Sequence, residues 1–205
     1  MDASAFWEVI GKYNLNTSVY QIVLLSLLVA GILASFLSKN KWIAKAVLGV
    51  LNLFIAIFFF LQYGTEPIQK FFALPLFSAS GILFMYETIR HPEDTISRPS
   101  VAAIILMVLY AVYPLVSMLL GGRFPQLVTH IMPCPVVTVS IAVYSCYKRK
   151  NLALLILLTI WGLTGVKALI FSAYEDIILL LAGLYGIWLI IKYFYGLQSG
   201  KQGRQ

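Results

Sequence analysis

VYQIVLLSLLVAGILASFL, residues Val19–Leu37, decides the fold. No charge interrupts it, and its length matches the about 20 helical residues that cross a hydrocarbon core of about 30 Å. Six further apolar stretches follow, at Trp42–Tyr63, Phe71–Ile89, Val101–Leu120, Gln126–Cys146, Leu152–Ala173 and Ile177–Phe194. With 60% hydrophobic and 11% charged residues over 205 positions, the chain has too little polar sequence to cover a water-soluble domain. Backbone inside hydrocarbon must satisfy its own amides, which leaves helices or a closed barrel. The runs are continuous, as in Ile55–Leu61 and Leu152–Leu158, rather than alternating, so helices are expected.

The formal charge of +7 is a topology signal and not a nucleic-acid footprint. Lys39, Lys41, Lys45, Arg90, Arg98, Lys148, Arg149, Lys150, Lys192, Lys201 and Arg204 fall on one side of the alternating connections. Only Lys12, Lys70 and Arg123 fall on the other, and Lys167 lies within a span. Positive residues collect in the cytoplasm, so the N-terminus is expected outside and the C-terminus inside. The expected fold is an all-α bundle of seven transmembrane helices, a single integral membrane domain over 1–205 in a plasma (inner) membrane. A short interfacial helix within 1–17 is expected to precede it, since Phe6, Trp7, Ile10 and Tyr13 recur at near-helical spacing. Residues 197–205 read as a disordered cytoplasmic tail. No cleavable signal is expected, because Asp2 and Glu8 stand where a basic n-region would be.

Chemistry is sparse. Cys134 and Cys146 fall on one expected helix, roughly 18 Å apart at 1.5 Å per residue, beyond disulfide reach. Pro133 and Pro135 flank Cys134 and are expected to break that helix, while Pro114 kinks span four. His130, Met132 and Cys134 offer imidazole, thioether and thiol within five residues, a donor set that suits a soft metal. Lys167 lies within span six, and a charge there faces protein, water or a partner; Glu175 and Asp176, in the next connection, are the expected partners. Glu87, Glu93 and Asp94 read as a solvated mixture beside Arg90 and Arg98, and Asn52 and Gln62 as polar groups bonded inside the bundle. The glycines Gly162, Gly165, Gly183 and Gly186, and Ser78–Gly81, read as close helix contacts. No Walker loop, HisGluXaaXaaHis, GlyXaaSerXaaGly or paired intramembrane aspartates occur, so no enzyme or cofactor is implied. Lys192 lies at the end of the last span, which argues against a retinal site.

Phe6-Trp7, Tyr13-Asn14, Phe124-Pro125, Pro133-Cys134-Pro135 and Glu175-Asp176 together resemble an uncharacterised bacterial family of small multipass inner-membrane proteins, a domain of unknown function. The resemblance covers essentially the whole chain. The family's glycine- and threonine-rich stretch before Pro-Cys-Pro is only partly reproduced, with LVTHIM at 127–132 in its place. The resemblance implies an integral membrane protein and draws attention to Pro133–Pro135 and Asp176; it implies no substrate.

The leading expectation is a small permease or channel-like protein for a polar solute or ion. Its site would form among Arg123, His130, Cys134, Lys167, Glu175 and Asp176. The alternatives are a non-transporting sensor or assembly factor that binds a membrane partner, and soft-metal or thiol handling at Cys134. The expected partners are the lipid bilayer and a small solute or ion, with a homo-oligomer or membrane partner left open and nucleic acid excluded.

Overall fold

The computed structural model describes residues 3–168 and 172–202. Among them lie seven α-helices and no β-strand. The first, α1, runs unbroken over Ala3–Leu37, 35 residues or about 52 Å. A separate interfacial helix therefore does not exist. The polar residues that read as its boundary fold back on the preceding turn: Thr17 Oγ1 donates to the Tyr13 carbonyl at 2.7 Å, and Asn16 Nδ2 to that of Lys12 at 2.9 Å. The helical ladder survives them.

Helix α2, Ile43–Phe54, has no side-chain cap of its own. Ser35 of α1, fully buried, supplies one by accepting the Ala44 amide at 2.8 Å. Beyond Phe54 the helix widens to π geometry over Ile55–Leu61, and a second π turn, Gln69–Ala73, precedes α3, Leu74–Arg90. Pro75 cannot donate to the turn before it, which accounts for the wide turn there. The hairpin between the two needs a glycine at 64, where a Cβ would fall 2.1 Å from the Phe60 carbonyl oxygen. Gln69 closes it, its Oε1 accepting the Thr65 and Glu66 amides at 2.8 and 3.0 Å. Gln62 is exposed in this hairpin and does not bond inside the bundle. Asn52 does face inwards, with Nδ2 on the Leu48 carbonyl at 2.8 Å and Ser140 Oγ at 3.5 Å.

Helix α4, Val101–Leu119, is capped by Ser100 and carries Pro114 in its interior. Gly121, at φ 101°, turns the chain out of it. A non-helical strap, residues 123–132, which opens with a tight turn bridged between Arg123 and Gln126, then leads to α5, Pro133–Ser145. The helix expected from Gln126 thus begins at Pro133. Pro133 and Pro135 occupy its first turn, where amides lack intrahelical acceptors, so they start the helix instead of breaking it. Helix α6, Leu152–Leu163, is capped by Asn151 and tightens to a 3₁₀ turn over Thr164–Lys167. A second 3₁₀ turn, Tyr174–Asp176, opens α7, Ile177–Gln202. The last helix continues through the segment expected to be disordered from Leu197; residues 203–205, and 169–171 of the expected sixth span, lie outside the described residues.

Among the described residues five helical segments are long and apolar enough to cross a membrane: Ser4–Leu37, Ile43–Leu61, Gln69–Arg90, Val101–Leu119 and Tyr174–Tyr195. Pro133–Ser145 and Leu152–Lys167 are apolar but shorter. The outer helices turn apolar side chains outward, such as Val19, Ile22 and Leu27 of α1 and Ile104, Ile105 and Val108 of α4. A helix apolar on its outer face as well as its inner one suits a lipid surround. At the centre, every α5 residue from Pro133 to Tyr144 except Cys134 is buried, with α2, α4, α6 and α7 packed around it. Helices α6 and α7 cross backbone to backbone: a Cβ on Gly162 would fall 2.6 Å from Gly183 Cα, and one on Gly165 2.5 Å from Leu180 N. Gly81 likewise lets α3 approach α2, its Cβ position lying 2.6 Å from Leu53 Cγ. These glycines are the close contacts their spacing indicates.

One end of the bundle is closed by buried charge. Lys45, fully buried on α2, sits 2.7 Å from Asp94 and 3.5 Å from Glu87, with the Tyr147 ring centroid 4.5 Å away. Asp94 also accepts the Thr95 and Arg149 amides at 2.8 and 3.3 Å, and Asn151 donates to Glu87 at 3.2 Å. Loops 91–100 and 146–151 are stitched together beside it by Ser97 N to the Cys146 carbonyl (2.8 Å) and Lys148 N to the Thr95 carbonyl (2.9 Å). Glu87 and Asp94 are therefore not a solvated mixture; only Glu93, near Arg149 and His91, is. At the rim, burial pushes the Lys150 ammonium down to about 8.

Removing one member of a desolvated ion pair strands the other, at a cost of about 3–5 kcal/mol, whereas exposed pairs are worth about 0–1 kcal/mol. Thermal unfolding of the purified protein is expected to show a large loss for Lys45→Met and almost none for Glu93→Gln. Equal, small effects would show that the buried cluster does not hold this end together.

Candidate functional site

The site lies at the opposite end and begins with the strap. Irregular backbone packed against helices has no regular ladder to satisfy its buried polar groups, so side chains do much of it. Asn14 Nδ2 of α1 donates to the Pro125 and Leu127 carbonyls at 2.8 and 2.7 Å, and Tyr13 OH to the Ile131 carbonyl at 2.6 Å. Gln21 links Asn14 Oδ1 (3.1 Å) to the Thr129 hydroxyl, which donates to Gln21 Oε1 at 2.6 Å. From α4, Ser117 Oγ accepts the Val128 amide at 3.2 Å. These bonds place Met132 at the mouth of α5 and Cys134 in its first turn.

The second component comes from α4 and the start of α7. Tyr113 and Ser117 are four residues apart and share one face of α4. Consecutive residues of a three-residue-per-turn helix point in different directions, so Glu175 and Asp176 diverge. Ser117 donates to Glu175 Oε1 at 2.7 Å, and Tyr113 donates to Asp176 Oδ1 at 2.6 Å. The Cys134 thiol donates to Asp176 Oδ2 at 3.2 Å. Asp176 thus accepts from two neutral donors on two other helices. Among the described residues neither carboxylate has a cation within 4.0 Å.

Asp176 borders a cavity of about 130 Å³, room for a few waters or a small solute. Gln69, Cys134, Thr164 and Lys167 add polar groups to its wall, while Phe59, Phe60 and Phe72 from the two π turns supply aromatic surface. Trp161 of α6 is held edge-on between Phe60 and Phe77, at centroid distances of 5.4 and 4.9 Å. Its indole N–H is buried and, among the described residues, makes no well-formed hydrogen bond, having only the Cys134 sulfur, a weak acceptor, beside it. A buried donor without a good acceptor is costly, and here it borders a cavity able to hold one. Glu175 faces a separate and larger vestibule of about 380 Å³, which it shares with Ser117, Arg123, Gln126 and Trp7.

The six residues expected to form one site are thus divided. Cys134, Lys167 and Asp176 share the aromatic cavity, Arg123 and Glu175 the vestibule. His130 belongs to a third pocket of about 260 Å³ beside Asn14 and Gln21. Its Nε2 meets the Ala111 carbonyl at 3.1 Å, and its ring lies 5.2 Å from that of Tyr110. Because α5 starts only at Pro133, His130 precedes the helix and does not share a face with Cys134. The sulfur of Met132 accepts the Thr129 amide at 3.2 Å. Among the described residues no three His, Cys, Asp or Glu side chains converge on one point; of the soft-metal set, Met132 and Cys134 line the aromatic cavity while His130 lies in another pocket. The expected Lys167 ion pair with Glu175 or Asp176 is not formed, although Lys167 and Asp176 line one cavity.

Sequence reasoning missed Tyr113, Ser117, Trp161, Asn14 and Gln21. A signal for α1 was present: Asn14, Thr17 and Gln21 recur at helical spacing within apolar surroundings. Tyr113 and Ser117 carried the same four-residue signal.

No curated protein and no solved structure matches the chain. The profile of a family described as a family of unknown function, DUF6064, matches residues 3–199. The chain belongs to the DUF6064 family.

Proposed function

We propose that this protein is a multipass plasma-membrane protein that binds a small, partly apolar solute in the Asp176 cavity and moves it as a permease does. The observation that carries the reading is a buried Trp161 N–H, with only the Cys134 sulfur beside it, on a cavity that also holds an ammonium and a carboxylate bonded to neutral donors alone. Aromatic walls with a few convergent polar groups are the usual form of a small-molecule site. Wide helical turns occur mostly at functional positions, and both π turns border this cavity. In this reading strap and α5 together make the fifth of seven crossings, irregular backbone being tolerated where protein covers it. Lys39, Lys41, Arg90, Arg98 and Lys148–Lys150 favour a cytoplasmic buried-charge end, in which case the cavity opens toward the outside. A non-transporting sensor is the second reading, favoured by the sealed Lys45–Asp94 cluster, which leaves no polar route at that end.

A membrane-impermeant thiol reagent is expected to label Lys70→Cys in intact cells and Lys39→Cys only after permeabilisation; the reverse order contradicts the orientation.

Solute binding is tested by thermal shift of the purified protein against a library of small amphiphilic and zwitterionic solutes. A ligand at about 100 times its Kd stabilises by about 2.7 kcal/mol. Ala73→Phe, which fills the cavity, is expected to abolish that shift, and flux of the same solute into liposomes separates permease from sensor. A shift that persists in Ala73→Phe places binding elsewhere and removes the reading.

A further inference from the structure

The geometry points to a proton relay across the Glu175–Asp176 step, in which a proton taken up by Glu175 from the vestibule passes to Asp176 in the aromatic cavity. The inference rests on reading that cavity as the solute site, and it makes the solute's binding proton-linked.

Two adjacent carboxyl groups face two different cavities, and each is held by a hydroxyl one turn apart on the same helix. Glu175 is only 3% exposed, yet it borders the polar vestibule where Arg123 stands. The groups facing Asp176 are Tyr113 from α4, Cys134 from α5, Lys167 after α6 and Glu175 on its own turn. Those facing Glu175 are Ser117 from α4 and, across the vestibule, Arg123 from the strap. With no cation within 4.0 Å of either among the described residues, no nearby positive charge offsets the repulsion between the adjacent carboxylates when both are ionised.

The transfer balances simply. The O–H bond on Glu175 breaks, its electron pair staying on the carboxylate, and an O–H bond forms at Asp176 Oδ2. Vestibule water then returns a proton to Glu175. Tyr113 keeps its proton and its bond to Oδ1. Cys134 keeps its proton too but loses its carboxylate acceptor, because Oδ2 has become a donor, free to bond the sulfur or a solute in the cavity.

That last change gives the relay a spectroscopic signature. The chain has two thiols, and S–H stretching falls in an infrared window clear of other protein bands. Cys146 donates to the Ala142 carbonyl at 3.4 Å, an acceptor that does not titrate, whereas Cys134 donates to the titrating Asp176. Infrared difference spectra of the full chain in lipid vesicles, recorded through a pH jump with no solute present, are expected to show one S–H component that weakens its hydrogen bond on acidification and one that stays fixed. Cys134→Ala removes the moving component and Asp176→Asn freezes it. Glu175→Gln keeps its amplitude but slows its appearance by about 10²-fold, the low end of what a positioned proton-transfer group contributes. Tyr113→Phe, which deletes only one oxygen, moves the midpoint and serves if Asp176→Asn fails to fold. A pH-indifferent S–H band in the wild type, an unmoved midpoint in Tyr113→Phe, or an unchanged rate in Glu175→Gln overturns the relay. Solute binding with a pH-indifferent band removes the relay alone, while a moving band with no solute bound in any screen removes the solute reading alone.

Discussion

Asn14 on α1, reaching across to the carbonyls of Pro125 and Leu127, is the interaction on which the architecture rests. Ten residues of irregular chain lie against the helices before α5 begins, and beyond the Arg123–Gln126 bridge their polar atoms have no strand to pair with. Tyr13, Asn14, Gln21 and Ser117 supply the missing partners. Because they do, α5 can start at Pro133, and its first turn meets the end of α6 and the start of α7 beside the cavity. A helix starting at Gln126 would have carried its backbone past Asp176 as a regular cylinder and left no room for a cavity.

The ends of the bundle solve opposite problems. Around Lys45 the polar groups are paired with one another and with loop amides, so that end is rigid and shut. Around Asp176, among the described residues, a buried indole N–H has only the Cys134 sulfur beside it, Lys167 has no carboxylate within ion-pair distance, and two acids are held by neutral donors without a cation. A fold that pairs its buried charge with opposite charge at one end and holds it with neutral donors at the other concentrates its chemistry at the second. The α6–α7 glycine crossing fixes the distance between Trp161 and Asp176, since neither backbone can retreat.

The helical class was legible because apolar runs of membrane length leave little else to form, and the glycine pairs announced the tight crossings. The family resemblance also pointed to the right places, since Tyr13-Asn14, Phe124-Pro125 and Pro133–Pro135 prove to be the two sides of one strap. Less legible was anything that depends on which residues meet. Lys45 counted as one more loop charge, yet it is buried, because the partner Asp94 stands far away in sequence. Pro133 and Pro135 read as a break within a helix; only the strap's hydrogen bonds to α1 show that the helix has not yet begun there. The same shift of start point detached His130 from Cys134, and with it the metal reading. Glu175 and Asp176 were taken as one acidic pair, but a 3₁₀ turn sends them to different cavities, a distinction that spacing alone does not carry.

Amide hydrogen exchange over residues 123–132 tests the central claim most directly. The account predicts that Val128 and Thr129, whose amides end on Ser117 and Met132, are protected like helix interiors in the wild type. Asn14→Leu should release that protection while the Lys45–Asp94 end keeps its own. A strap that already exchanges as fast as an open loop in the unaltered protein would contradict it.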